Sequence, residues 1–198
     1  MPSYIFDTML AKGVRAGQIP ARTQAAREWY RDTAQEMSRV GQSQIFKGAG
    51  ERLTNRIEPG NMYMFLYDPK TKDQLPYYDR FPLVFPFDDA EGGFYGINLH
   101  YLPHKLRAQL MDALYELASN SRYDESTKLR MSYQILNRAR KFRNFKPCVK
   151  RYLANRTQSQ FVYIYPSEWD MALFLPTERF QKATKDKVWQ ESRKIARA

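Results

Sequence analysis

A run of positively charged side chains near the middle of the chain is the clearest chemical feature of the sequence. Residues 138–156 contain eight Lys or Arg residues in 19 positions and no Asp or Glu. Cations at this density neutralise phosphate groups and release the counterions that surround a nucleic acid. Phe142, Phe145 and Tyr152 lie among them and can stack on exposed bases or anchor the segment to the core. The run favours nucleic-acid contact, with an acidic protein partner or a plain solvated surface as the alternatives.

The candidate binding residues extend beyond this run into the preceding region. They are Lys105, Arg107, Arg130, Arg138, Arg140, Lys141, Arg143, Lys146, Lys150, Arg151 and Arg156. The region 104–160 has 13 basic and 4 acidic residues, whereas the region 61–103 has 3 basic and 6 acidic residues. Most of the chain's net charge of +11 therefore lies in one region, which we expect to face double-stranded DNA or an acidic neighbour.

Two histidines could in principle form a metal pair. His100 and His104 are four residues apart, but Pro103 lies between them and the chain has no other histidine. A zinc site needs three or four ligands, and no Glu-containing zinc motif surrounds this pair. The sequence therefore predicts ordinary structural histidines and no metal or other cofactor.

A group of acidic residues in the middle of the chain could hold Mg²⁺ in a nuclease. The group consists of Asp68, Asp79, Asp88, Asp89 and Glu91. Glu91 is followed by two glycines rather than by the Glu-x-Lys arrangement of a phosphodiesterase, and these acids fall in predicted turns, where Asp has a structural role. We therefore expect a protein that is not an enzyme and keep a Mg²⁺-dependent nuclease as an alternative.

The single cysteine, Cys148, excludes an internal disulfide and a cysteine-rich zinc site. It is expected to be a buried structural thiol. The first residues lack the basic and apolar regions of a signal peptide, and no apolar run approaches the roughly 20 residues that span a bilayer. These features indicate a reducing, aqueous compartment and no membrane partner.

The elements that must position these residues are short aromatic strands and amphipathic helices. Residues 62–67, 81–87, 94–100 and 161–165 read as strands separated by turns, and the prolines at 82 and 86 predict an edge or bulged position for the second. Residues 171–175 are expected to form a last strand. Helices are predicted at about 21–40, 104–118, 126–140 and 185–195, with a further short helix after Pro147.

These elements predict an α+β fold: a small aromatic-rich antiparallel β-barrel or curved sheet with inserted and flanking helices. We expect an N-terminal helix and connecting arm over residues 1–60, the arm being the polar segment 42–58. A single α+β domain comes next over residues 61–198, with a helical insertion at about 104–157. In this arrangement the aromatic sheet acts as a scaffold, and the basic helices present the charge.

Four stretches of sequence carry a family resemblance. They are PGNMYMFLYDPK at 59–70, LPYYDRFPL at 75–83, GINLHYLP at 96–103 and EWDMALFLP at 168–176. Together they resemble a family of small virion proteins of T-even-type contractile-tailed phages, of the DNA end protector or head-completion type. The resemblance extends over residues 20–195 or so and carries no catalytic residues.

The resemblance implies a virion component that is assembled in the host cytoplasm. Its partners would be the terminus of the packaged DNA and other proteins of the head, neck or tail. Two alternatives remain at this stage. One is a baseplate or tail assembly protein that contacts only protein, and the other is a head-completion nuclease.

Overall fold

A computed structural model describes residues 4–20, 23–38, 40–118, 121–139 and 141–197 and places a six-stranded antiparallel sheet at the centre of the molecule. In spatial order its strands are β1 (Leu53–Thr54), β7 (Phe161–Ile164), β2 (Met62–Met64), β4 (Leu83–Ala90), β5 (Gly93–Asn98) and β6 (Val149–Leu153). A separate pair is formed by β3 (Tyr78–Asp79) and β8 (Phe180–Gln181). The predicted α+β class is correct. Within the described residues the large sheet has two edge strands and does not close into a barrel.

The central hairpin shows how proline fits into this sheet. β4 lies between β2 and β5, so it is not an edge strand, but its register with β5 shifts between Pro86 and Asp88. This β-bulge accommodates a residue that cannot donate a ladder hydrogen bond. The hairpin turn uses Gly92 at φ +71°, a conformation that side chains with a Cβ rarely adopt.

Each of the described α-helices contributes to the large core cluster on one face of the sheet. They are α1 (Ile5–Arg15), α2 (Gln24–Gln35), α3 (Gln42–Phe46), α4 (His104–Ala118), α5 (Glu125–Ala139), α6 (Trp169–Phe174) and α7 (Lys185–Arg197). The periodicity of the sequence predicted α2, α4, α5 and α7. α2 begins after Thr23, whose hydroxyl accepts a hydrogen bond from the backbone of Ala26. Residues 119 and 120, the predicted end of α4, lie outside the described residues.

Three predicted elements differ from the structure. The expected helix after Pro147 is the strand β6, where the aromatic Tyr152 is buried and Arg151 is exposed. The expected strand at 171–175 is largely the helix α6, which is buried on all sides and so shows no helical periodicity. The expected connecting arm, 42–58, contains α3, a 3₁₀ turn and β1.

The two faces of the sheet are covered differently. One face packs on the helices in a single large cluster that includes Phe6 of α1, Tyr30 of α2 and Phe85 of β4. The opposite face carries a smaller aromatic cluster, built from Phe65, Tyr67, Val84, Phe94 and Tyr152. Among the described residues no α-helix contributes to this second cluster, and Tyr67 and Tyr152 at its margin line a cavity.

Ion pairs made by two buried arginines connect three helices. Arg27 and Arg31, one turn apart on α2, both contact Asp112 of α4 and Asp170 of α6, at distances of 2.7–3.1 Å. The two guanidinium groups and two carboxylates neutralise one another, which offsets the cost of burying charge. No helix within the described residues has the length and apolar character required to cross a membrane.

Candidate nucleic-acid interface

Four of the predicted cations form an exposed surface, which we call the cationic segment. It consists of Arg138 at the end of α5, Lys141, Arg143 and Lys146, all of which are exposed. Within the described part of the chain, none of these four side chains has an ion pair or a hydrogen bond. The segment therefore presents its positive charge to solvent without internal neutralisation.

The cationic segment is held in place by the buried residues at its C-terminal end. Residues Arg143–Cys148 form a 3₁₀ helix that packs against α7. Phe145 packs against the main core, and Pro147 and Cys148 are buried. Burial raises the pKa of the Cys148 thiol to about 12, so this group is a neutral anchor, as the sequence predicted.

An exposed aromatic ring lies among these cations. Phe142 has 63% of its surface exposed, although neighbouring Phe145 packs on the core. A cavity of about 280 Å³ between α4 and α5 is lined in part by Phe142 and Arg138. An exposed phenyl ring beside exposed cations suits stacking on a base next to phosphate contacts.

The structure adds two cations that the sequence interpretation did not select. Arg193 and Arg197 of α7 are exposed and line, together with Asn144, a cavity of about 170 Å³ beside the cationic segment. Their separation of four residues places them on one face of the helix, which is the signal that could have found them. The mixed overall charge of the C-terminal region concealed this local basic face.

The other predicted cations fall into separate places. Lys105 of α4 and Arg130 of α5 are exposed. Lys150 and Arg151 lie on the edge strand β6, and Arg156 ends the short 3₁₀ helix that follows this strand. Arg140 lies outside the described residues.

Arg107 does not belong to any surface. Its side chain is fully buried, and its guanidinium donates to the backbone oxygens of Leu102 at 2.7 Å and Leu173 at 2.6 Å and to the carboxylate of Glu178 at 2.7 Å. These acceptors use its hydrogen-bonding capacity inside the fold. The expectation that Arg107 faces a partner is therefore wrong, and its role is to join α4 to the chain after α6.

His100 and the buried Asp79 belong to a structural hydrogen-bond network. His100 Nδ1 lies 2.7 Å from Asp79 Oδ2, and its Nε2 lies 3.1 Å from Thr177 Oγ1. Asp79 also accepts a hydrogen bond from the side chain of Asn98 at 3.1 Å. Burial, followed by the charge of Arg107, lowers the pKa of His104 to about 4, so this second histidine is neutral at physiological pH.

The remaining acidic candidates do not converge. Asp68 is paired with Lys72 at 3.0 Å, and Asp88, Asp89 and Glu91 are exposed around the β4–β5 turn. In the part of the chain that the structure describes, no three His, Cys, Asp or Glu side chains are grouped so that they could hold a metal ion.

With this geometry established, comparison with known proteins gives one clear match. Residues 6–195 match the model of the family described as phage T4 terminal DNA protecting protein. The chain belongs to this family. No curated protein and no solved structure matches the chain. The match confirms the family resemblance of the four sequence motifs.

Membership in the terminal DNA protecting family extends over nearly all of the described structure. The matched range includes the whole sheet, the cationic segment and most of α7, so the candidate interface lies within the family's own sequence. The family's description concerns the terminus of a phage DNA, which is a polyanion with exposed end groups. The negative charge of DNA and its exposed end groups are both relevant to the partner that the cationic segment would contact.

Proposed function

We propose that this protein binds a terminus of packaged double-stranded phage DNA and shields it, without making or breaking covalent bonds. The observation that carries the proposal is the cationic segment: four exposed cations around an exposed phenylalanine, with no acidic partner among the residues that the structure describes. Membership in the terminal DNA protecting family supports DNA as the polyanion that these cations meet. Family membership also supports a place in the virion.

The binding mechanism depends on counterion release. A duplex carries one phosphate charge per ~1.7 Å of its axis, so cations along one surface can contact several phosphates at once. Arg193 and Arg197 widen the surface beyond the four cations of the segment. Phosphate contacts hold the duplex without reading its sequence, which suits a protein that must cover an end of any sequence.

We also propose where in the particle this protein lies. A protein bound to the terminus of packaged DNA would lie along the portal, neck and tail axis. It would join the particle during head completion in the host cytoplasm. Other virion proteins would then be its neighbours, and they would contact surfaces away from the cationic segment.

The test compares DNA of the same sequence with and without ends. Linear and covalently closed circular duplexes are incubated with the protein, and binding is measured against salt concentration. We expect a steep salt dependence and a preference for the linear form. Exonuclease digestion of the linear form should slow in proportion to its occupancy. Equal weak binding to both forms, with no salt dependence, would instead indicate an assembly protein that contacts only protein.

A matched pair of variants locates the surface. Lys141→Glu with Arg143→Glu should reduce the number of phosphate contacts by two and lower the salt slope by roughly 2. Lys12→Glu with Arg15→Glu changes two exposed cations of α1 and has the same effect on net charge. We expect this control to keep the slope within about 0.5 of the original value. Cleavage of DNA in the presence of Mg²⁺ would contradict the non-catalytic part of the proposal.

A further inference from the structure

A second feature of the molecule is not used by the cationic segment. A cavity of about 310 Å³ opens beside the edge strand β6, at the margin of the smaller aromatic cluster. Its walls include five tyrosines: Tyr67, Tyr77, Tyr78, Tyr101 and Tyr152. The volume is at the lower end of the range of about 300–1,000 Å³ for small-molecule sites. It therefore suits one small planar group and not a duplex.

Lys150 lines this cavity and has no anionic partner among the residues that the structure describes. Its Nζ lies 4.0 Å from the centre of the Tyr101 ring, and the side chain is half-buried. Across the described residues, no carboxylate and no hydrogen-bond acceptor contacts the ammonium group. Buried or half-buried charges are normally paired, because desolvation without a partner is costly. An anion bound in the cavity would supply the missing partner.

The walls of the cavity are held by contacts that exist without a ligand. The ammonium of Lys182 donates to the backbone oxygens of Lys72 at 2.6 Å and of Asp73 and Leu75 at 3.1 Å, which braces the turn on one side. On the floor, the Asn98 amide donates at 3.1 Å to the Tyr152 hydroxyl. A pocket that is already formed binds without the cost of ordering its walls.

The cavity and the cationic segment lie close together along the chain. Lys146 and Lys150 are four residues apart, so their Cα atoms are at most about 14 Å from each other. A strand whose phosphates contact the segment can therefore extend its last nucleotide toward the cavity.

We propose that the tyrosine-lined cavity binds the terminal nucleotide of a DNA strand, with the base among the tyrosines and a terminal phosphate on Lys150. This inference rests on the proposed function. Aromatic walls accept any base, because every base has a π face. An end nucleotide is also the easiest to unpair, since it has a stacking neighbour on one side only. The cavity would supply the preference for ends that phosphate contacts alone do not provide.

The first test measures whether the chemistry of the end matters. Linear duplexes with 5′-phosphate, 3′-phosphate or only hydroxyl ends compete for the unmodified protein, with a covalently closed circle as the form without ends. We expect one phosphorylated end to bind about tenfold more tightly than the hydroxyl end, as for one charge-assisted contact. The two phosphorylated forms identify which strand terminus enters the cavity.

The second test uses a matched pair of lysines. Lys150→Met keeps the packing on Tyr101 but removes the charge, and should abolish the preference for the phosphorylated end while circular DNA binds as before. Lys146→Met removes the same charge from the exposed segment, and should weaken all DNA forms equally with the preference intact. Lys150→Arg should retain most of the preference. A preference that is unchanged in Lys150→Met would overturn the proposal.

A third measurement is independent of duplex binding. Titration with deoxyadenosine monophosphate, followed by tyrosine NMR signals, should shift resonances of the cavity tyrosines in the unmodified protein and not in Lys150→Met. Absence of these shifts, with salt-dependent duplex binding intact, would reject the cavity and leave the proposed function standing. Absence of duplex binding in every form would reject the proposed function itself.

Discussion

The interior and the surface of this protein use the same positively charged residues for different purposes. Arg27, Arg31 and Arg107 are buried, and each contacts at least one carboxylate at 2.7–3.1 Å. In the cationic segment, Arg138 and Lys141 are exposed and have no such partner within the described structure. The interior charges are neutralised where they lie, so the excess positive charge is carried outside. Net charge alone does not tell the two groups apart.

The largest effect is expected from the interior. Arg107→Met should lower the free energy of unfolding by about 3–5 kcal/mol, because it leaves the buried carboxylate of Glu178 without its partner. Lys105→Met, two residues away and exposed, should change it by less than about 0.5 kcal/mol. Urea unfolding of both variants measures the difference. Similar losses in the two variants would contradict the division between interior and surface cations.

The next largest effect is expected when the pH is lowered, because the pKa of His104 differs between the folded and unfolded protein. The pKa of His104 is about 4 in the folded protein against an ordinary value of 6.5, because of burial first and then of the Arg107 charge. Between these pH values the unfolded chain binds the proton more strongly, so stability falls as the pH falls from 6.5 toward 4. From pH 7 to pH 5 the loss due to this group is about 2 kcal/mol.

The variant His104→Phe isolates this contribution. A phenyl ring preserves the contacts with Phe174 and Trp189, whose ring centres lie 5.1 and 5.4 Å from that of His104. The variant should lose about 2 kcal/mol less stability than the original protein when the pH changes from 7 to 5. Burial alone would raise the pKa of Glu178, but the charge of Arg107 lowers this pKa to about 2. Glu178 therefore stays charged over the same pH range. If stability falls equally with pH in the two proteins, the acid sensitivity comes from groups other than His104.

The extent of the surface can be measured on α7. Arg193→Gln with Arg197→Gln should weaken duplex binding about tenfold near physiological salt and lower the salt slope by roughly 2. Lys185→Gln with Lys187→Gln removes two exposed charges from the other end of the same helix and should leave the slope unchanged. Equal changes in both variants would show that binding responds to total charge and not to position.

The smallest expected effect on DNA binding is that of Phe142, and it differs from the effect of Phe145, three residues away. Phe142→Ala should weaken DNA binding by roughly fivefold, corresponding to about 1 kcal/mol of stacking, and leave the unfolding free energy nearly unchanged. Phe145→Ala should do the reverse, lowering stability by about 2 kcal/mol, because this ring packs on the core. Equilibrium binding and thermal unfolding of both variants test whether Phe142 contributes to DNA binding and Phe145 to stability.

The sequence predicted the regular elements that have a clear local pattern. The helices α2, α4, α5 and α7 have helical patterns of apolar residues, and the strands β4, β5 and β7 lie in short aromatic-rich runs bounded by turn residues. α6 was missed because all six of its residues are buried, which removes the polar face that reveals a helix. β6 was missed because Lys and Arg dominate its start, and their long side chains hide an alternating pattern.

The candidate interface was predicted less completely than the fold. A count of cations located the cationic segment, but it also selected Arg107, since counting does not register burial. A signal for its burial was present: Arg107 precedes Leu110, Met111 and Leu114 at helical spacing, so it lies on the buried stripe of α4. The cavity beside β6 joins residues from 67 to 153 and has no local signature in the sequence.

The contacts that lock the structure connect residues far apart in the chain. Arg27 and Asp170 are separated by 143 positions, Arg52 and Glu168 by 116, and Lys182 and the Lys72 carbonyl by 110. During translation none of these contacts can form until residues 168–182 have left the ribosome. At about 5–20 residues per second, the chain spends at least several seconds incomplete. A newly made molecule therefore acquires the full set of these contacts only after residue 182 has been synthesised.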